Sequence, residues 1–188
     1  MEPSIRLAQW IRDRYPYSHL EPMTHLKLQK LLFYCVGTAL AFNGDSGLGC
    51  RILFQPWQHG PVNRDVWLEF KEYKGREIQQ DCCSAASSYP EDVEKPMMWA
   101  IQIYGALDAW RLRQQSHLET PWIEAFQSRN QYIQPDAIRR HFEKKFRGAT
   151  VQAPEYLQDP GTFTVDYIPV IRYSSMAELA SSISAIYM

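Results

Sequence analysis

The chain has 188 residues, 45% of them hydrophobic and 22% charged, so it can bury a real core and is too apolar to be disordered. Its formal net charge of -1 argues against bulk binding to nucleic acid, since phosphate affinity is supplied largely by accumulated Lys and Arg. No apolar run reaches the roughly 18 residues of a membrane span, and the first residues lack the order of a secretion signal, so a soluble, cytoplasmic protein is expected.

In chain order, residues 4–14 read as a helix capped by Ser4, with Ile5, Ala8 and Ile11 on one face, ended by Pro16. A second helix spans 25–42: Thr24 caps it, Met23 can staple onto Leu28, Asn43-Gly44 stops it, and Leu28, Leu31, Leu32, Cys35, Ala39 and Phe42 recur at helical spacing. Residues 51–55 are a short strand candidate that Pro56 confines to an edge. Gly60-Pro61 then reads as a turn into a helix over 62–73, with Pro61 at its first position and Val62, Val66, Phe70 and Tyr73 at steps of about four. A loop over 76–90 precedes a helix over 91–104, whose start Pro96 pulls toward residue 95. Asp108 caps a further turn, and Thr120-Pro121 has the order of a cap and first helical residue, with Trp122 and Phe126 facing inward. The last helix of the main body runs from Pro135 to Arg147 on an Ile138/Phe142/Phe146 stripe and ends at Gly148. Beyond Thr150, a Pro/Gly linker, a strand over 163–173 and a helix opened by Ser175-x-x-Glu178 read as an appendage. The expected fold is mainly α: a compact multi-helix domain over 1–148 with a small β element, and a C-terminal strand-helix extension over 149–188 packed on it.

Chemistry-bearing motifs are sparse. Cys35, Cys50, Cys82 and Cys83 form no C-x-x-C pair and read as reduced thiols, with Cys35 an inert core residue. The five histidines fall at no zinc-like spacing, so neither a catalytic residue nor a metal or other cofactor is expected. Lys27 and Lys30 fall away from the apolar line of their helix with Gln29 between them, which reads as a solvent-facing or contact surface, and an exposed tryptophan, Trp57 the first candidate, could anchor an interface. The Gly60 turn could present His59 and the amides of the next helix to an acidic partner group. His117, with Pro121 and Trp122, orders a corner. Residues 111–147 carry eight Lys/Arg against four Asp/Glu, and Arg139, Arg140, Lys144, Lys145 and Arg147 make the last helix basic. A solvated helix face accounts for those five; the alternative is a DNA- or RNA-binding regulator, although no helix-turn-helix or aromatic RNA motif accompanies them.

Thr24-His25-Leu26-Lys27-Leu28-Gln29-Lys30-Leu31 followed by Trp57-Gln58-His59-Gly60-Pro61-Val62, with Glu69–Tyr73, Tyr104-Gly105 and Ser116-His117-x-Glu119-x-Pro121-Trp122, resembles the Panacea antitoxin domain family, SocA-like and phage-associated antitoxins of bacterial toxin–antitoxin systems. The resemblance covers about residues 4–147. It implies a mostly helical, non-enzymatic protein that neutralises a cognate toxin by direct binding and, in the SocA-like branch, an adaptor that delivers the toxin to an ATP-dependent protease. It also implies partner-binding roles for Lys27, Gln29, Lys30, Trp57, His59, Gly60, Pro61 and Val62, and leaves the oligomeric state open. Gln58 stands where the family often shows Arg, and the tail after Thr150 lies outside the shared region.

Overall fold

The computed structural model describes residues 2–15, 21–44, 48, 51–79 and 88–147. The strand-helix extension expected over 149–188, Gly148, and three of the four cysteines lie outside the described residues. Among those described there are seven α-helices and one small sheet: α1 (Pro3–Arg14), α2 (His25–Asn43), β1 (Gln55–Trp57), β2 (Gly60–Val62), α3 (Arg64–Phe70), α4 (Glu91–Gly105), α5 (Ala109–Ser116), α6 (Thr120–Gln127) and α7 (Pro135–Lys145). None of these helices is long and apolar enough to cross a membrane.

The architecture is organised around α2. Thr24 accepts a hydrogen bond from the Lys27 amide at its start, and Gly44 ends it with a φ of 62°, a value that favours glycine. Between these ends every residue from Lys27 to Leu40 is buried, because α1, α3, α4, α5, α7 and β2 all pack around it. Aromatic rings fill the space: Tyr34 stacks on Tyr104 at 3.8 Å, and Phe33 meets Phe54 and Phe142 edge-on at 5.3 and 5.7 Å. Gly37 is the point of closest approach, since a Cβ there would lie 2.4 Å from the Phe142 ring.

Several boundaries differ from expectation for identifiable reasons. Ser4 is buried inside α1, whose first residue is Pro3. Helix α4 begins at Glu91 and carries Pro96 in its interior. The missing Pro96 amide frees the Asp92 carbonyl, and the Asn43 side-chain amide donates to that oxygen, so the end of α2 repairs the gap. Helix α6 starts at Thr120 with Glu119 as its cap residue, which puts Pro121 one position further in. On it Trp122 is buried, whereas Phe126 is exposed rather than inward. Tyr73 lies in a single 3-10 turn and is also exposed.

The largest difference concerns residues 55–63. Strands β1 and β2 form an antiparallel hairpin in the register Gln55 to Val62, Pro56 to Pro61 and Trp57 to Gly60. Pro61 therefore sits in a strand and not at a helix start. The cap is Asn63, whose side-chain oxygen accepts from the Val66 amide at 3.0 Å, and α3 begins only at Arg64.

Candidate functional site, a hairpin turn gripped from three sides

The turn Trp57-Gln58-His59-Gly60 reaches the surface at Gln58 and His59, while Trp57, expected to be exposed, is half-buried with its indole N–H on the Gln55 side-chain oxygen at 2.8 Å, and Gly60, Pro61 and Val62 are buried behind it. What holds it is a set of side chains reading its backbone. From α2, the Gln29 amide makes two bonds to one residue: its nitrogen donates to the Asn63 carbonyl at 3.2 Å and its oxygen accepts from the Asn63 amide at 2.9 Å. The next residue, Lys30, donates to the Pro61 carbonyl at 2.9 Å. The residue opposite Pro61 is Pro56, which has no amide to donate, so the Pro61 carbonyl takes its donor from outside the hairpin, and a long cation supplies it in a dry environment. From the Asn63 side, Nδ2 donates to the Leu53 carbonyl at 2.9 Å and closes the loop before β1.

Helices α5 and α6 grip the other edge. Trp122 donates its indole N–H to the Trp57 carbonyl at 3.0 Å, and His117 stacks on Trp122 with ring centroids 4.3 Å apart. Arg113 donates its Nε–H to His59 Nδ1 at 3.1 Å. Gly60 has a φ of 92°, and a Cβ on it would lie 2.5 Å from Ser116 Oγ and 3.0 Å from Lys30 Nζ. Glycine is thus required twice over, by its backbone angle and by the side chains that occupy the Cβ position.

The two sequence signatures are therefore one device: the Gln29-Lys30 pair of α2 holds the Gly60-Pro61-Val62-Asn63 backbone. This corrects the expectation that Lys27 and Lys30 face solvent, because both side chains are fully buried. Burial lowers the Lys30 amine to about 7, reinforced by the nearby Arg113 charge. Lys27 is lowered to about 8 by burial against the opposing pull of Glu21 and Asp108; among the described residues its Nζ makes no hydrogen bond, and it sits 5.0 Å over the Tyr15 ring.

Behind the turn lies a polar centre that sequence reasoning missed. Glu119 is buried, and its carboxylate accepts from Tyr34 at 3.1 Å, from Lys145 at 2.7 Å and from His141. Burial alone would raise this carboxyl, but the His141 hydrogen bond and the Lys145 charge outweigh it and leave it below the ordinary glutamate value. Glu119 thereby ties α2 and α7 to the corner that carries His117, Pro121 and Trp122. Its place between Ser116 and Trp122 gave no hint of this, since its partners are 22 to 85 residues away in sequence.

The basic helix is less available than its composition suggests. Lys145 is spent on Glu119, and Arg139 pairs with Asp136 and Glu143. Arg140, Lys144 and Arg147 make no ion pair among the described residues, and Arg140 and Lys144 line an open groove of 510 Å³ beside Thr120 and Glu124. Cys35 is buried and donates weakly to the Met97 carbonyl at 3.6 Å; burial raises its thiol far above the ordinary range, which suits an inert core residue. Among the described residues no group of three or more His, Cys, Asp or Glu is placed to hold a metal ion.

A family model described as antitoxin SocA-like, Panacea domain, matches residues 28–123, just over half of the chain. The match runs from the middle of the first signature through the hairpin to the Trp122 corner. No curated protein and no solved structure matches the chain.

Proposed function

The chain belongs to the SocA-like antitoxin family with a Panacea domain, and from that premise we propose that it neutralises a cognate toxin by direct, stoichiometric binding through the exposed side of the hairpin turn. The observation that carries this reading is the investment of buried polar groups in one short turn: Gln29, Lys30, Asn63 and Trp122 hydrogen-bond the backbone that presents Gln58 and His59, and Ser116 packs against it at Gly60. A contact held rigid before binding loses little entropy when a partner arrives. On this reading Lys27, Gln29, Lys30, Gly60, Pro61 and Val62 act from behind the surface, as supports of the contact, and Trp57 and His59 touch the partner.

The antitoxin acts by occupancy and makes or breaks no bond. Delivery to an ATP-dependent protease is an extension of the same reading, in which the bound toxin is handed on. Co-expression with the product of the adjacent reading frame tests both. Growth rescued by this chain supports neutralisation, and rescue that persists in a protease-deficient host rejects the delivery step while leaving the binding step in place. No growth defect from the neighbouring product, or a defect this chain does not relieve, rejects the reading.

The nucleic-acid alternative has weaker support, because two of its five cations, Arg139 and Lys145, are engaged by acidic partners. A promoter-fragment shift with a steep salt dependence would revive it.

A further inference from the structure

We propose that Arg113, His59 and Trp110 form a receptor for a carboxylate side chain of the toxin flanked by an apolar residue, an inference that rests on the proposed antitoxin role and names the chemistry of the contact. Arg113 leaves α5 beside the hairpin and gives only its Nε–H to His59. The two terminal nitrogens of its guanidinium form the planar fork that suits a carboxylate. The hydrogen bond into Nδ1 makes that atom the acceptor, so the remaining proton of a neutral His59 ring sits on Nε2 and is offered as a further donor. His59 is exposed, so this donor is accessible.

Three further observations point the same way. Arg113 forms no ion pair with an acidic group among the described residues, and the acids on either side of it in sequence are engaged elsewhere: Asp108 with Arg111, Glu119 with Lys145. The titratable groups beside it are bases and not acids: the Lys30 amine buried beneath the turn and His117, both of which burial and the Arg113 charge push toward their neutral forms. The Arg113 charge therefore has no carboxylate facing it among the described residues, and a partner's carboxylate supplies one. Finally, the Arg113 guanidinium lies 5.6 Å from the centroid of the Trp110 ring, and Trp110 and Leu118 are 64% and 62% exposed at the two ends of α5. Tryptophan and arginine are both among the residue types enriched at binding hot spots, and here they lie side by side.

The test uses the full chain and the purified product of the adjacent reading frame, with affinity measured by calorimetry at about 50 mM and about 500 mM salt. Arg113→Glu is expected to weaken the complex by about 100-fold or more, and Arg113→Lys, which keeps the charge and loses the fork, by about 10-fold. The wild-type complex is expected to weaken at high salt more steeply than the complex of Arg113→Gln. An acid-to-lysine scan of the partner should then yield one position that restores binding to Arg113→Glu. Circular dichroism and melting temperature establish that the variants fold, and Trp110→Ala supplies an independent probe of the same surface should Arg113→Glu not fold. A complex whose affinity is unchanged by Arg113→Glu or by Trp110→Ala overturns this inference and leaves the antitoxin reading standing. No complex with the wild-type chain overturns the antitoxin reading and this inference with it. Self-association of the wild-type chain that Arg113→Glu abolishes, with partner binding unaffected, assigns the surface to a second copy and also overturns it.

Discussion

Gly60→Ala is the sharpest perturbation of the hairpin. Two costs add. An L-residue held at a φ of 92° costs about 1–2 kcal/mol relative to glycine, as the left-handed region does generally. The new methyl would also sit 2.5 Å from Ser116 Oγ and 3.0 Å from Lys30 Nζ. Neither neighbour yields freely, because Ser116 is buried and donates to the Arg113 carbonyl at 2.8 Å, and Lys30 is held on the Pro61 carbonyl. Overpacking of this kind costs about 1–3 kcal/mol. The sum is about 3 kcal/mol, which for a chain of this length lowers the melting temperature by roughly 6–12 °C. Urea unfolding followed by tryptophan fluorescence measures it. Ser116→Ala removes the nearest atom, so in a double-mutant cycle it should return about 1 kcal/mol to the Gly60→Ala chain while leaving the backbone cost in place. A Gly60→Ala chain within about 0.5 kcal/mol of wild type, the usual range for an inconsequential surface change, would refute the reasoning.

Glu119→Gln should destabilise the protein by about 2–3 kcal/mol at neutral pH, because it leaves Lys145 and His141 without their carboxylate, with the half-exposed Lys145 stem easing the loss. The Glu119 carboxyl is held below its ordinary value of 4.5, so its contribution is complete above that value and is lost as pH falls beneath it; acid unfolding of Glu119→Gln should accordingly be flatter there than that of wild type. Lys30 titrates the other way. Its folded value of about 7 lies below the ordinary 10.5, so the unfolded chain binds the proton more tightly and stability rises with pH between those two values, by at most about 1.4 kcal/mol per pH unit. Lys30→Met should flatten that rise, read from urea midpoints at successive pH, and an unaltered slope would mean that the amine is not held in a dry site. Asn63→Ala loses the α3 cap and the bond to Leu53, for about 1–2 kcal/mol in the same unfolding assay, and should weaken toxin binding through the displaced turn.

Much of the helical framework was legible because local chemistry set it. Thr24 and Gly44 bound α2, Asp108 caps α5 through the Arg111 amide, and the Ile138/Phe142 stripe of α7 faces the core as its spacing requires. Local rules failed where a distant group decided the outcome. Pro96 is tolerated inside α4 because Asn43 takes up the carbonyl it frees. Lys27 and Lys30 looked solvated by residue type, yet Leu28, Leu31, Leu32, Phe33, Tyr34, Val36 and Leu40 leave α2 without a polar face. A helix apolar on all sides is buried on all sides, and that pattern was available to indicate that its lysines are interior. Pro61 was misread for want of weight on Asn63, which has the better claim to a helix cap. Arg113 and Glu119 could not be found from spacing, since His59, Tyr34, His141 and Lys145 reach them only through the packing of other helices.

On the proposed antitoxin function, the rigid turn silences another polypeptide by covering it. Titrating the purified product of the adjacent reading frame with the purified full chain, with no protease present, tests this most directly. Toxic activity should fall in proportion to added chain and vanish at a fixed small-integer ratio, and a chain altered at both Trp57 and His59 but equally stable should fail to reach that endpoint. Toxic activity unchanged by a molar excess of the wild-type chain would contradict it.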